Sequence, residues 1–166
     1  PEAFDLRYFI AYPDIKTRLS DDPVPHFVRL GLPFPKSLLG YSNPIPKVDS
    51  RTKMLPTTLR QKEIPPEYME ASAIHFCPID YITHSILPAV FRQANFTTIT
   101  VDPSPGYMNA AFFNLIPGLI NGLTAFMPSE EEVRNLFSGK SDDLWEIAEA
   151  LASFGCEIVV IKRGLG

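Results

Sequence analysis

The chain has 166 residues, 45% of them hydrophobic, with 15 Lys and Arg against 19 Asp and Glu for a net charge of -4. That length suffices for one domain of ordinary size with a sizeable core. A mildly acidic chain without a Lys/Arg block is a poor partner for nucleic acid or a membrane surface, and no apolar run reaches the ~20 residues of a membrane helix. With no leader pattern and only Cys77 and Cys156, which show no metal-ligand spacing, a soluble cytoplasmic protein with two buried free thiols is expected.

Eight of the 17 prolines lie in the first 50 residues. Proline removes a backbone donor and fixes one dihedral, so long regular elements are not expected there. Leu6–Tyr12 reads as one aromatic-rich strand, Asp21-Asp22-Pro23 as a turn, and His26–Leu30 as a short strand or a single helical turn closed by Gly31. Lys36–Tyr41 is a second short apolar piece, and Asn43 to Ser50 is loop. His26 and Arg29 are read as a solvated edge. Residues 1–62 thus look like a proline-rich β arm that packs over something else, and residues 63–166 like an α/β core.

From Ile64 the pattern changes. Pro65-Pro66-Glu67 opens a short helix, and Ala73–Cys77 is a strand with His75 on the face opposite Ile74 and Phe76. Residues 80–95 are helical through Ile82, Ile86, Val90 and Phe91, with Pro88 either kinking the helix or delaying its start. Thr97–Val101 has the β-branched content of a strand. Asn109 is placed to cap a helix through Phe112, Ile116 and Leu119, which Pro117 breaks or restarts. Gly122–Met127 is the next strand. Two helices follow, the second capped by Ser141 or Asp143, carrying Trp145 as a packing residue and closed at Gly155. Glu157–Ile161 is the last strand.

Short apolar runs that end in turns, with helices between them, are the rhythm of a parallel sheet with crossover helices. Ligands in such sheets sit beyond the carboxyl ends of the strands. Asp102, Ser129 to Glu132, and Lys162 to Gly164 fall there. Pro128-Ser129-Glu130-Glu131-Glu132 reads two ways: as a capping box between Ser129 and Glu132, with acidic residues in the first helical turn, or as a strand-end carboxylate that helps hold a metal–phosphate complex. Both roles can coexist. His75 has no carboxylate or cysteine spaced for a metal and reads as a core or edge group. Neither the dinucleotide fingerprint, the P-loop, a G-x-S-x-G elbow nor a zinc signature is present.

In its order of strand ends, Ile64–Gly166 resembles the ribokinase-like (PfkB) carbohydrate kinase family. The match runs through Cys77-Pro78, Asp102-Pro103-Ser104-Pro105, Pro128-Ser129-Glu130-Glu131-Glu132 and Lys162-Arg163-Gly164. The family writes the third of these as Pro-Asn-x-x-Glu, so Ser129 stands where Asn is expected and Glu132 matches the Glu. The resemblance implies an α/β, Rossmann-like, mostly parallel sheet with helices on both faces, plus a small β lid in the first third. It implies ATP and magnesium as cofactors, with Lys162, Gly164 and Ser129 on the nucleotide and Glu132 on the metal through water. A sugar or sugar-like alcohol is the implied substrate, and a homodimer through the lid the implied assembly.

The family's glycine-glycine sugar motif and its Gly-Ala-Gly-Asp motif, whose aspartate is the general base, are absent. No catalytic residue is therefore assigned within the stretch. The chain reads as the middle of a kinase, cut at both ends and expected to be inactive alone. A non-catalytic nucleotide- or sugar-binding or regulatory module of the same fold is the alternative.

Overall fold

The computed structural model describes residues 9–12, 22–41, 48–55 and 57–164. The chain divides into two compact units, residues 1–46 and 47–164.

In the first unit the main described element is helix α1, Pro23–Leu30. The Asp22 side chain accepts from Val24 N at 3.0 Å, and Gly31 closes the helix at φ 62° with its N–H on Phe27 O and Val28 O. Two prolines do not prevent this helix, because Pro23 and Pro25 fall in the first turn, where backbone N–H groups have no intrahelical acceptor to lose. Of the two readings of His26–Leu30, strand or helical turn, the helical one is formed, and it begins at Pro23, where a turn was expected. A 3-10 turn at Lys36–Leu38 follows, and the part of the expected Leu6–Tyr12 strand that is described contributes only a bridge at Ala11. Leu6 to Tyr8 lie outside the described residues. Phe27 packs against Phe34 and Phe9 with ring centroids 5.4 and 6.2 Å apart.

The second unit is mixed α/β. Its sheet has four strands, β1 (Ala73–Phe76), β2 (Thr98–Val101), β3 (Ala125–Phe126) and β4 (Ile158–Val159), all parallel and in chain order. Helix α2 (Tyr81–Gln93) joins the first two strands. A 3-10 turn (Ala110–Leu115) running into α3 (Ile116–Ile120) joins the next two. Helices α4 (Glu130–Leu136) and α5 (Leu144–Ser153) make the last crossover. Asn109 caps the 3-10 turn by accepting from Ala111 N, and Pro117 sits in the first turn of α3, so the proline restarts the helix. Pro88 lies inside the continuous α2.

Crossovers between parallel strands are right-handed in nearly all proteins, so a sheet laid down in chain order receives every crossover helix on the same side. Burial agrees. Phe76, Val101, Phe126 and Val159 share one register row, and the first three are at most 6% exposed within the core that also holds Leu87, Ile116, Val133, Ile147 and Leu151. The alternate row, His75, Thr100, Ala125 and Ile158, faces the other way, with Ile158 52% exposed. The expected helices on both faces are thus corrected to a single helical layer among the described residues. A second layer requires the strand order to reverse direction, and this order never does.

Residues 48–55 and 57–59 are tied to α2 and to the segment after β2 in this unit. Asp49 N donates to Gly106 O at 2.8 Å, the Asp49 carboxylate accepts from Tyr81 N at 2.8 Å, and Leu59 N donates to Thr83 Oγ1 at 3.0 Å. Asp80 accepts from Ile82 N and Thr83 N, so two carboxylates between them satisfy the first three donors of α2. Trp145, expected to pack, is 81% exposed, and Cys77, expected to be buried, is exposed. Trp145 occupies the second position of α5, next to the cap Asp143, on the side away from Ile147 and Leu151.

Candidate functional site at the carboxyl edge of the sheet

Three strand ends converge on one rim. After β3 the backbone continues pairing: Lys162 N donates to Pro128 O at 2.8 Å and Glu130 N to Lys162 O at 2.9 Å, which makes a parallel bridge between Ser129 and Lys162. Ser129 and Lys162, placed at two separate strand ends from sequence, are therefore direct neighbours. The Lys162 ammonium then reaches Asp102 at the end of β2 and donates to both carboxylate oxygens at 2.6 Å.

Glu132 forms the floor of this rim. The capping box anticipated between Ser129 and Glu132 is formed: Ser129 N and Ser129 Oγ both donate to Glu132 Oε2, at 2.7 and 2.8 Å, while Glu132 N approaches Ser129 Oγ at 3.3 Å. The side chain is only 6% exposed. Burial pushes its carboxyl above the ordinary value, opposed by the two Ser129 hydrogen bonds and by Lys162, with Asp102 adding to the rise. Glu130 turns outward to Arg134 and Arg163, and these partners hold its carboxyl below the usual range. The three acidic residues of the turn therefore divide their work, with Glu132 alone buried.

Gly164 adopts φ 63°, the left-handed region that glycine enters without strain, and a Cβ there would meet nothing within 4 Å. The turn, rather than a close approach of other protein atoms, requires this glycine.

Behind the rim lies a pair that residue patterns had not singled out. Tyr107 Oη and His84 Nδ1 are 2.6 Å apart, and His84 Nε2 is 3.1 Å from Cys77 O, the carbonyl just past β1. A carbonyl only accepts, so Nε2 carries the proton and Nδ1 accepts from the tyrosine. Both residues are fully buried. Burial lowers the His84 pKa to about 4, against pulls upward from Cys77 O and the nearby Asp80 and Asp102, so the ring is neutral. The signal that could have revealed it is spacing: His84, Leu87, Pro88 and Phe91 form the buried stripe of α2, whereas Ile86 of the expected stripe is 49% exposed. His75 is on the open sheet face, with Nδ1 2.8 Å from Thr100 Oγ1.

Among the described residues no group of three or more His, Cys, Asp or Glu side chains is arranged to hold a metal ion. Magnesium, however, keeps several waters and needs only one or two carboxylates beside its phosphate ligands. Glu132 is the buried carboxylate of this rim, with Oε2 already engaged by Ser129 N and Oγ. No helix among the described residues is long and apolar enough to cross a membrane. The chain matches no family model, and no curated protein matches it.

Proposed function

We propose that the chain is the central part of an ATP-dependent carbohydrate kinase of the ribokinase-like type, transferring the γ-phosphate of ATP to a hydroxyl of a sugar or sugar-like alcohol in the cytoplasm. The observation that carries this reading is the gathering of Asp102, Ser129, Glu132 and Lys162 on one rim at the carboxyl ends of β2, β3 and β4, where open parallel sheets hold their ligands. Bound Mg-ATP supplies the transferable phosphoryl group and the charge neutralisation that in-line attack needs. Ser129 fixes the Glu132 carboxylate; Glu132 would hold the metal through water, and Lys162 and Gly164 would line the phosphate side. The general base and the sugar contacts belong to sequence outside this stretch.

The proline-rich arm of residues 1–62 serves as the lid in this reading. Exposed Val28, Leu30, Leu32 and Leu39 give it an apolar surface for pairing with a second subunit. A non-catalytic nucleotide- or sugar-binding module is the second reading, favoured by the Ser129 hydroxyl being committed to Glu132.

The test is calorimetric titration with Mg-ATP of the chain and of Glu132→Gln. Glutamine keeps the cap acceptor and removes the charge. The kinase reading expects binding that Glu132→Gln weakens by about tenfold or more, the scale of losing a metal-orienting group. Equal affinity in both proteins would remove Glu132 from the metal. Binding without phosphate transfer to any sugar, in a chain extended to include a Gly-Ala-Gly-Asp segment, would favour the non-catalytic module.

A further inference from the structure

We propose that Asp102 is a built-in counter-ion that holds Lys162 across the sheet edge until a phosphate chain takes the lysine from it. The inference rests on the reading of this rim as a phosphate-binding edge and assigns Asp102 a role that reading leaves open.

The geometry is specific. Strands β2 and β4 are separated by β3, roughly 9–10 Å in all, so Lys162 must stretch over the end of β3 to place its ammonium on Asp102. Its backbone cannot drift, because Lys162 N and O are both paired to the segment after β3. Only the side chain is free to swing. The neighbouring cation, Arg163, is already engaged with Glu130 at 3.2 Å. Lys162 is the cation of this rim that extends over the strand ends, and Asp102 occupies it at 2.6 Å through both oxygens.

The contact is also easily given up. Side-chain exposure is 45% for Lys162 and 22% for Asp102, and ion pairs that water can reach contribute little to stability. A phosphate chain offers the ammonium more charge than one carboxylate does. Without a ligand, the pair keeps the ammonium extended over the strand ends instead of dispersed in solvent. Asp102 is thus a positioning residue whose cost is competition with the incoming anion.

The probe is inorganic tripolyphosphate, without metal, titrated calorimetrically at low ionic strength into the wild-type chain, Asp102→Asn, Lys162→Met and the double variant, with thermal melts confirming that each is folded. Asp102→Asn is expected to bind roughly tenfold more tightly than wild type, with the gain shrinking as salt is added. In the Lys162→Met background the same Asp102 substitution is expected to change affinity little, since the gain runs through the lysine. Equal affinity of Asp102→Asn and wild type, including binding by neither, would overturn the proposal. So would a gain of the same size without Lys162, which would mean plain repulsion by Asp102. Tripolyphosphate carries no base, sugar or metal, so failure here is distinguishable from failure of the Mg-ATP titration, which reads Glu132.

Discussion

The Tyr107 hydroxyl donates to Nδ1 of His84 at 2.6 Å, and His84 in turn donates to the carbonyl of Cys77. Through the fully buried His84 and Tyr107, this chain ties the end of β1, the first turns of α2 and the segment after β2 to one another. It sits directly behind the rim that carries Asp102 and Glu132, whose charges reach the tyrosine.

The His84 pair makes stability depend on pH. The folded value of about 4 lies below the ordinary 6.5, so the unfolded chain binds a proton that the folded chain refuses. The stabilisation is fully present above pH 6.5 and is lost as pH falls towards 4, by up to on the order of 3 kcal/mol. His84→Gln retains one acceptor and one donor and has no such titration. The wild-type minus His84→Gln stability difference, from urea unfolding between pH 4 and 7, is expected to slope in that direction. A flat difference would show that His84 is not buried neutral.

Gly106 is held by contact, not by backbone conformation. A Cβ there would overlap the Asp49 carboxylate, which is needed where it stands to accept from Tyr81 N. Gly106→Ala is expected to cost about 1–3 kcal/mol, the usual range for overpacking. In an Asp49→Ala background the cost is expected to fall to a fraction of that. A double-mutant cycle by chemical denaturation checks this, and additive costs would refute the contact.

Glu132 titrates in the opposite sense from an ordinary paired carboxylate. Burial raises its folded value above the ordinary 4.5, so its contribution is present below pH 4.5 and is lost as pH rises through the raised value. In the absence of metal, Glu132→Gln is therefore expected to melt about 1–4 °C higher than wild type at pH 7, with the advantage vanishing below pH 4.5. Glu132→Ala, which strands the Ser129 N–H, is expected to lose about 1–3 kcal/mol instead. Thermal melts of both variants across pH separate the effect of the charge from that of the cap.

Punctuation along the chain made much of this edge legible. Asp102, Ser129, Glu132 and Lys162 fall at strand ends because a β-branched run stopping at proline, or at a serine three residues before a glutamate, is a local signal. The Asn109 cap and the restart at Pro117 were readable for the same reason. The α1 helix was ambiguous, since prolines at the two first-turn positions it tolerates resemble a segment where no helix forms.

By itself, then, the sequence determined the alternation of strands and helices, the caps, and which residues stand at strand ends, all of them set by neighbours within about four positions. Only tertiary structure decided what requires two distant segments to meet. The helices form one layer because strand order runs in a single direction, a property of the whole sheet. Lys162 meets Asp102 across 60 residues, and His84 meets Tyr107 across 23. Trp145 lies outside because the packed face of α5 is set by Ile147 and Leu151 against the sheet, not by the size of the side chain. Hydrogen bonds and ion pairs of this kind depend on register and burial, which no local pattern encodes.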